Sequence, residues 1–535
     1  MKKIQFVLLT AGLVALAVAC EKQPAASEPE AGERVTTISA SIEGAGTKVA
    51  IADADGKFSW SAGDKIIVHT SGGYVLSDAL TAGGTTANFE FTMYTLYDDS
   101  RDFFAVYPGD YATVDAVNYG DAVLKINYPS VYKITSLSNT NYAPVPMIAA
   151  NAPGGTLNFR HIGALIRVTV KDVPPTTKSL NVVFEKKVTG PFIVDLADPS
   201  NPYVKTEDGY ITNTTITFDL PSELTTMRDV VLNIPVPTGN VGAFYVEAYN
   251  EGDLLMRTRQ TSGVTMARKQ GRKAMASLPV FTTLSGTKVV FSPGNLQAST
   301  TDKGSHWEWA FAAHQYDIVG NAAGNNSIGG NGLLLDSTPN GTVDLFGWST
   351  ADTYFGIHQS TDSINDYDGD FVDWGANQIG PYAADTWRTL GFTEWNALLV
   401  SRTASTVGAT ENARYVKATV AEKAGIILFP DQYKHPDGVT VPPNINDKSK
   451  PFTNIVYNTD DWEKMELAGC IFLPAAGYRT ATTLTNVGSE CDYWTNAKYL
   501  EKNAYRVSFT ATGMTLNYYN RHMGRSVRLV RTVTY

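Results

Sequence analysis

Apolar and polar residues alternate along most of the chain from Val35 onward. The alternation is clear in "VTTISASIEG" and "KFSWSAGDKIIVHT", which are bounded by Gly, Asp or Ser. Such runs predict short strands with one buried face, separated by turns. The same pattern continues to about residue 284, for example in "SLNVVFEKKV" and "AFYVEAYNEGD". We therefore expect a mainly β protein with little helix in its first half.

The pattern changes after Lys288, where the chain becomes rich in Gly and Trp. Eight of the nine tryptophans follow residue 300, and we expect these large rings to pin long, irregular loops. The segment "TEWNALLVSR" predicts the one clear helix, with Thr393 as its N-cap. Trp395, Leu398 and Leu399 would then share its buried face.

Two alternating runs near the end of the chain, "AYRVSF" and "SVRLVR", predict strands that form one hairpin or neighbouring ladders. Aromatic, amide and basic residues lie between and before these runs. They suit a binding surface, because rigid rings give contact area at low entropic cost. The alternative is that Asn and Tyr are simply common in turns and edge strands. The candidate ligand-binding residues are Tyr493, Trp494, Asn496, Lys498, Tyr499, Asn517, Tyr518, Tyr519, Asn520, Arg521 and His522.

The first twenty residues are typical of an export signal. Lys2 and Lys3 precede an apolar stretch that is too short to span a membrane, and Ala17-Val18-Ala19-Cys20 resembles the cleavage site of a bacterial lipoprotein. We expect Cys20 to carry the lipid, so that the protein is anchored to the membrane but does not cross it. An ordinary secretory signal is the alternative.

Residues 21–34, "EKQPAASEPEAGER", lack large apolar side chains and predict a tether between this anchor and the first strand. Arg34 stands immediately before the predicted strand. We therefore consider it a possible protease cleavage site that would release the N-terminal strand.

The length of 535 residues suggests three or four structural units. The net charge of −10, without a long basic block, argues against nucleic acid as a partner. Only Cys470 and Cys491 remain after Cys20. In an exported protein they could form a disulfide, or Cys470 in "LAGCIFLP" could be a buried free thiol.

Candidate catalytic or metal chemistry is sparse. The seven histidines are scattered, and no metal-ligand or nucleophile motif is present, so we expect neither an enzyme nor a bound metal or cofactor. The acidic segment "DSINDYDGDFVDWG" could converge on calcium, but its spacing does not fit an EF-hand loop. A solvated loop is the simpler interpretation. Its carboxylates are Asp362, Asp366, Asp368, Asp370 and Asp373.

The first half resembles the fimbrillin-like (Mfa-like) proteins of Bacteroidetes. The resemblance rests on "GTKVAIADADGKFSWSAGDKIIVH" and on "MIAANAPGGTLNFRHIGALIRVTV". The matching positions are Trp60, Gly63, Asp64, Ile66 and Val68 in the first segment and Phe159, His161, Ala164, Ile166 and Val168 in the second. The resemblance implies two tandem transthyretin-like β-sandwiches, over residues 35–158 and 159–284.

Residues 286–535 resemble the Fibrobacter succinogenes major paralogous domain, which has a C-type-lectin-like α+β fold. The ordered blocks are "KVVFSPGNLQAS", "WAFAAHQYDIVGN", "DLFGWST", "TWRTLGFTEWNALLVSR", "GIILFPD", "FLPAAGYR" and "GRSVRLVR". The resemblance implies a ligand-binding platform on the last loops and strands.

Together these features predict a surface-exposed lipoprotein of the outer membrane that acts as an adhesin, as a minor or tip subunit of a fimbria. Its partners would be other pilin subunits, joined by strand donation, and an external glycan or protein. Three alternatives remain: a glycan-capture lipoprotein of a polysaccharide-import system, a retroelement-diversified binding protein, and a purely structural stalk subunit.

Overall fold

The computed structural model describes most of the chain. The described residues are 33–43, 59–70, 73–94, 103–109, 114–118, 123–134, 137, 145–151, 156–195, 203–205, 213–329, 332–335, 339–350, 356–357 and 369–535. The predicted signal segment with Cys20, and the tether up to residue 32, lie outside them. No helix among the described residues is both long and apolar enough to cross a membrane.

The described residues of the N-terminal part form ten strands, and the first of them, β1, shows the predicted alternation. In β1, Ile38, Ala40 and Ile42 are buried while Ser39 is exposed, because successive side chains of a strand point to opposite faces. Seven of these strands form one sheet in the order β3-β2-β5-β9-β10-β1-β4. The strands are β1 (Glu33–Ile42), β2 (Ile67–Thr70), β3 (Gly73–Leu76), β4 (Thr86–Tyr94), β5 (Phe103–Tyr107), β6 (Val114–Asn118), β7 (Val123–Tyr128), β8 (Val131–Lys133), β9 (Met147–Asn151) and β10 (Leu157–His161).

The middle of the chain adds four sheets, in the orders β16-β11-β21, β19-β18-β12-β15-β8, β14-β13-β7-β6 and β17-β20. The strands are β11 (Ala164–Val173), β12 (Ser179–Phe184), β13 (Gly190–Asp195), β14 (Tyr203–Lys205), β15 (Thr215–Asp219), β16 (Arg228–Val236), β17 (Gly239–Gly242), β18 (Phe244–Asn250), β19 (Asp253–Arg257), β20 (Val264–Met266), β21 (Gly271–Ala276) and β22 (Phe281–Thr282).

Strand pairing crosses the boundary expected between residues 158 and 159. That position falls inside β10, which pairs with β1 and β9 of the first sheet. Strands β7 and β8, from the first predicted unit, pair with β13 and β15 of the second. Strands from the first expected unit therefore pair with strands of the second, across the boundary expected from the sequence.

Arg34 is the second residue of β1, where it pairs with Met93 of β4, and does not precede the strand. Cleavage after Arg34 would leave residues 35–42 in the sheet, including the buried Ile38 and Ile42. The position of Arg34 therefore does not fit release of the whole strand by that cut.

The described residues of the C-terminal part form fifteen further strands and two short helices. Its sheets have the orders β22-β23-β37-β27, β25-β24-β26, β30-β28-β29-β31, β32-β33 and β34-β35-β36. The strands are β23 (Lys288–Phe291), β24 (Leu296–Thr300), β25 (Glu308–Phe311), β26 (Gly341–Val343), β27 (Arg388–Thr389), β28 (Tyr415–Val420), β29 (Lys423–Leu428), β30 (Val456–Tyr457), β31 (Ile471–Pro474), β32 (Tyr478–Thr480), β33 (Thr483–Thr485), β34 (Glu490–Tyr499), β35 (Asn503–Thr510), β36 (Gly513–Asn520) and β37 (Leu529–Val533).

The two runs expected to form neighbouring strands lie in different sheets. β35 pairs with β34 and β36, whereas β37 pairs with β23 and β27. The prediction of a hairpin or adjacent ladders was wrong, because β36 forms between the two runs and occupies the position beside β35.

The predicted helix begins two residues earlier than expected, since its N-cap is Gly391 and not Thr393. α1 (Phe392–Asn396) follows Gly391 and continues as a π-helical turn over Ala397–Ser401. The side chain that caps the N-terminus of α1 is that of Glu394 and not that of Thr393, since the Glu394 carboxylate accepts a hydrogen bond from the Gly391 N–H at 2.8 Å. Trp395, Leu398 and Leu399 are buried, as predicted.

A second helix, α2 (Thr459–Leu467), was not predicted. The Asn458 side chain caps it by accepting a hydrogen bond from the Asp461 N–H at 2.8 Å. Trp462 and Met465, three residues apart, form its buried face.

Cys470 and Cys491 do not form a disulfide. Both are free and buried, and they lie in two different hydrophobic clusters. Burial raises the pKa of both thiols, so they remain protonated and unreactive at neutral pH. The buried-thiol alternative is the one that the structure contains.

His161 gives the N-terminal sheet a dependence on pH. Burial lowers its pKa from 6.5 to about 4, with Lys269 and Arg268 acting in the same direction and Glu43 opposing them. Because the folded state holds this ring neutral, its contribution is complete above pH 6.5. That contribution declines as the pH falls towards 4, where the unfolded chain binds the proton first.

We therefore expect the free energy of unfolding to fall by roughly 3 kcal/mol between pH 7 and pH 4 through His161 alone. Urea titrations followed by circular dichroism would compare the protein with His161→Gln, which should lose less stability over this range. His306→Gln, at a side chain that is 88% exposed, is the control. Equal acid sensitivity of the protein and His161→Gln would contradict the expectation.

Candidate functional site

The candidate site lies at one end of the sheet β34-β35-β36. Antiparallel register places Tyr499 opposite Asn503, which in turn lies opposite Asn520. Two residues further along β35, Tyr505 lies opposite Tyr518. β36 is the last strand of this sheet, so its outer edge has no strand neighbour among the described residues. The sheet therefore brings together residues from the three strands that carry most of the candidates.

Four of the candidate ligand-binding residues are buried, which corrects their predicted role. Tyr493, Trp494 and Arg521 are at most 1% exposed, and His522 is 6% exposed. The Tyr493 hydroxyl donates to the Pro474 carbonyl oxygen at 3.1 Å, and Trp494 Nε1 donates to the Phe346 carbonyl oxygen at 2.7 Å. These side chains support the surface from below and cannot contact a ligand directly.

Arg521 holds the turn between β34 and β35 in place. Its guanidinium donates to the carbonyl oxygens of Leu500 at 2.7 Å and Asn503 at 3.0 Å, and to that of Gly369 at 3.2 Å. The same group stacks over the Trp348 ring, 4.4 Å from its centroid. A guanidinium group can donate hydrogen bonds to several loop carbonyl oxygens at once, because its N–H groups have a fixed, planar arrangement. This explains why an arginine is buried here.

The first face of the exposed surface is a tyrosine cluster, defined as Tyr499, Tyr505 and Tyr518. The Tyr499 and Tyr518 rings stack with centroids 3.7 Å apart, and Tyr505 meets Tyr499 edge-on at 5.4 Å. Phe392 of α1 packs against Tyr505, with ring centroids 4.5 Å apart. Tyr518 is 45% exposed although it lies on a regular strand.

The opposite face carries Tyr519, Asn517 and Lys498. Tyr519 is 44% exposed, and the guanidinium groups of Arg506 and Arg525 lie 5.2 and 5.0 Å from its ring centroid. Cations under one ring face fix the tyrosine and leave its other side towards solvent. Alternation along β36 thus presents two tyrosines to opposite sides of a single edge strand.

The remaining candidates are also accessible. Asn496 and Asn520 are exposed, and Asn496 follows the register shift between Trp494 and Lys498. Such bulges re-aim side chains at the end of a ladder. Asn496 Nδ2 donates to the Thr389 carbonyl oxygen at 3.4 Å, which ties this end of the sheet to the region before α1. The sequence analysis missed Tyr505 as a member of the surface, because the alternation in "AYRVSF" indicates a core face.

A buried charge cluster lies beneath Tyr519. It consists of Glu490, Asp492, Arg506 and Arg525. Arg506 Nη1 lies 2.9 Å from Asp492 Oδ2 and 3.0 Å from Glu490 Oε1, and Arg525 contacts Asp492 directly. Asp492 and Arg525 are no more than 1% exposed. The cluster fixes the sheet under the exposed face.

The acidic segment has separate structural roles where it is described. Asp370 pairs with Lys498 at 2.8 Å, and both side chains are exposed. Asp373 accepts hydrogen bonds from the N–H groups of Gly375 and Thr389, at 3.1 and 2.7 Å. Asp362, Asp366 and Asp368 lie outside the described residues. Within the described part of the chain no three His, Cys, Asp or Glu side chains are grouped as metal ligands.

No protein-family model and no curated protein matches this chain. Among solved structures, a proposed cell adhesion protein of Bacteroides ovatus is similar at 10% identity, with 46% of this chain and 92% of that chain covered and a TM-score of 0.28. A proposed cell adhesion protein of Bacteroides uniformis aligns at 14% identity over 46% and 93%, with a TM-score of 0.25.

A fimbrial protein of Bacteroides ovatus aligns over more of the chain, at 10% identity with 93% and 98% covered and a TM-score of 0.20. TM-scores this low do not establish a common fold. The function proposed for this chain therefore rests on its own residues.

Proposed function

We propose that this protein is a cell-surface adhesin that binds an external glycan or protein through the exposed end of the sheet β34-β35-β36. The observation that carries the proposal is the tyrosine cluster with Tyr519 on the opposite face. Tyr518 and Tyr519 are 45% and 44% exposed on a rigid, paired strand. Burying such rings on binding gains apolar contact without ordering a flexible loop.

The surface combines ring faces with hydrogen-bonding groups. Asn496, Asn517 and Asn520 are exposed around the rings, and Lys498 adds one cation. A ligand with both apolar patches and hydroxyl or amide groups would be recognised by this mixture. The buried charge cluster and Arg521 keep the surface rigid before the ligand arrives, which lowers the entropic cost of binding.

The wider placement of the protein is part of the same proposal. Residues 286–535 would form a C-type-lectin-like domain, carried by two fimbrillin-like sandwiches and a lipid at Cys20. In this proposal the protein is a minor or tip subunit that accepts a strand from a neighbouring pilin subunit.

Replacing Tyr499 and Tyr518 together with Ala should weaken ligand binding about tenfold or more, as is typical when central aromatic contacts are removed. The full chain would be applied to glycan and protein arrays, and the affinity for each hit would then be measured for both forms. Thr515→Ala, at an exposed position of the same strand, is the matched control and should bind normally.

Circular dichroism would first establish that the double variant is folded. Equal affinity of the folded double variant and Thr515→Ala for every hit would refute the tyrosine cluster as the binding surface.

A further inference from the structure

A cleft of about 960 Å³ lies between the middle β units and the C-terminal part of the chain, away from the tyrosine cluster. One wall is formed by β21 and residues 259–264, and the other by residues 432–437 and the end of α2. Its volume is at the upper end of the range of ligand-binding clefts.

The two walls are joined by direct hydrogen bonds. The Gln260 N–H donates to the Leu467 carbonyl oxygen at 2.7 Å, and the Asp431 N–H donates to the Val280 carbonyl oxygen at 2.9 Å. Gly469, at φ +100°, allows close packing at this junction, because a Cβ there would lie 2.8 Å from Cβ of Pro279. The cleft is therefore a fixed feature of the fold.

The lining is basic although the protein as a whole carries a net charge of −10. Five cationic and two carboxylate side chains line the cleft. One of the carboxylates, that of Glu185, already accepts hydrogen bonds from the Ala243 N–H at 2.8 Å and from Gln260 Nε2 at 2.9 Å. Asp437 is the other carboxylate. The cations, which come from both walls, are Arg259, Arg272, Lys273, Lys434 and Lys464.

Neutral hydrogen-bonding side chains lie among these cations. Gln260, Thr261 and Ser262 contribute to one wall, and Gln432 contributes to the other. The His435 ring is held in place by two hydrogen bonds, since its nitrogens lie 3.0 Å from the Tyr433 hydroxyl and 3.0 Å from the Val439 carbonyl oxygen.

We propose that this cleft binds an acidic oligosaccharide. Carboxylate or sulfate groups would meet the Lys and Arg side chains, while sugar hydroxyls would meet the amide and hydroxyl groups between them. The cations on both walls favour an elongated ligand that carries several negative charges over a compact monoanion. This site is separate from the tyrosine cluster and does not depend on the function proposed for it.

The full chain would be titrated with three labelled probes: an oligogalacturonate, a neutral malto-oligosaccharide of the same length, and hexaglutamate. We expect the oligogalacturonate to bind, with an affinity that falls as salt is added, and the two other probes to bind at least about tenfold more weakly. The charge-reversal variant Lys434→Glu with Lys464→Glu should weaken oligogalacturonate binding about tenfold or more.

Lys133→Glu with Lys423→Glu makes the same change in net charge at exposed positions that do not line the cleft, and should bind normally. The Tyr499→Ala, Tyr518→Ala variant should also bind oligogalacturonate normally, which separates this site from the tyrosine cluster. Preferential binding of hexaglutamate would identify a peptide site instead. That result, or equal losses in the two charge-reversal variants, would overturn the proposal.

Discussion

Asp492→Ala is expected to lower the free energy of unfolding of the C-terminal part by about 3–5 kcal/mol. Asp492 is fully buried, lies 2.9 Å from Arg506 Nη1, and contacts the buried Arg525. Removing the carboxylate leaves the Arg525 charge in a site without water. Arg506 is affected less, because it keeps Glu490 at 3.0 Å.

Urea unfolding followed by tryptophan fluorescence would measure this effect. The readout is specific to the C-terminal part, since eight of the nine tryptophans follow residue 300. Asp492→Asn keeps the shape of the side chain and should still be strongly destabilised, which would assign the loss to charge and not to volume.

Lys498→Ala is the matched control on the same strand. It also removes an ion pair, to Asp370 at 2.8 Å, but the Lys498 and Asp370 side chains are 58% and 92% exposed. Water and salt screen such a pair, so little change is expected. If Asp492→Ala were no more destabilising than Lys498→Ala, the charge cluster would not be what fixes the sheet.

Trp494→Ala should also destabilise the C-terminal part, by about 3–5 kcal/mol, because a large buried ring is lost and its cavity cannot fully close. The ring is 1% exposed, its Nε1 donates to the Phe346 carbonyl oxygen at 2.7 Å, and the Arg525 guanidinium lies 5.1 Å from its centroid. Trp494→Phe should retain part of the stability, since it refills much of the volume without the hydrogen bond.

The sequence interpretation placed Trp494 in the ligand-binding surface, so this variant separates the two roles. Differential scanning calorimetry and array binding would be measured on Trp494→Ala and on Tyr518→Ala. We expect the first variant to lose stability and the second to lose mainly binding, because Tyr518 is 45% exposed. If the Trp494→Ala protein were as stable as the unchanged protein but no longer bound the ligand, Trp494 would be a ligand-binding residue, as the sequence analysis predicted.

The alternating pattern was sufficient to predict the mainly β character and many individual strands. In β1 the spacing of apolar residues identified the buried face, because the orientation of side chains along a strand follows from the backbone itself. Five of the tryptophans expected to pin irregular loops, Trp348, Trp374, Trp387, Trp395 and Trp462, are buried, whereas the burial of Trp494 contradicts its predicted place in the ligand-binding surface. Large apolar rings have few stable positions other than a core.

The helices show where local signals are incomplete. α2 was missed because "TDDWEKMEL" is mostly polar, and only Trp462 and Met465 are buried in it. α1 was predicted, but its first residue was placed too late. Its N-terminal cap is formed by Gly391 and Glu394, and it contains no Ser or Thr side chain that would mark it in the sequence.

The sequence by itself determined the alternating strands, the tryptophan-rich C-terminal part and the concentration of Tyr, Asn and Arg near the end of the chain. Only the tertiary structure decided which of those residues meet solvent. Arg521 is buried because Gly369, Trp348 and Asn503, all distant from one another in sequence, supply its partners. The basic cleft has the same origin, since its cations come from segments about 160 residues or more apart. Burial and electrostatic environment depend on contacts between remote segments, and no local pattern encodes them.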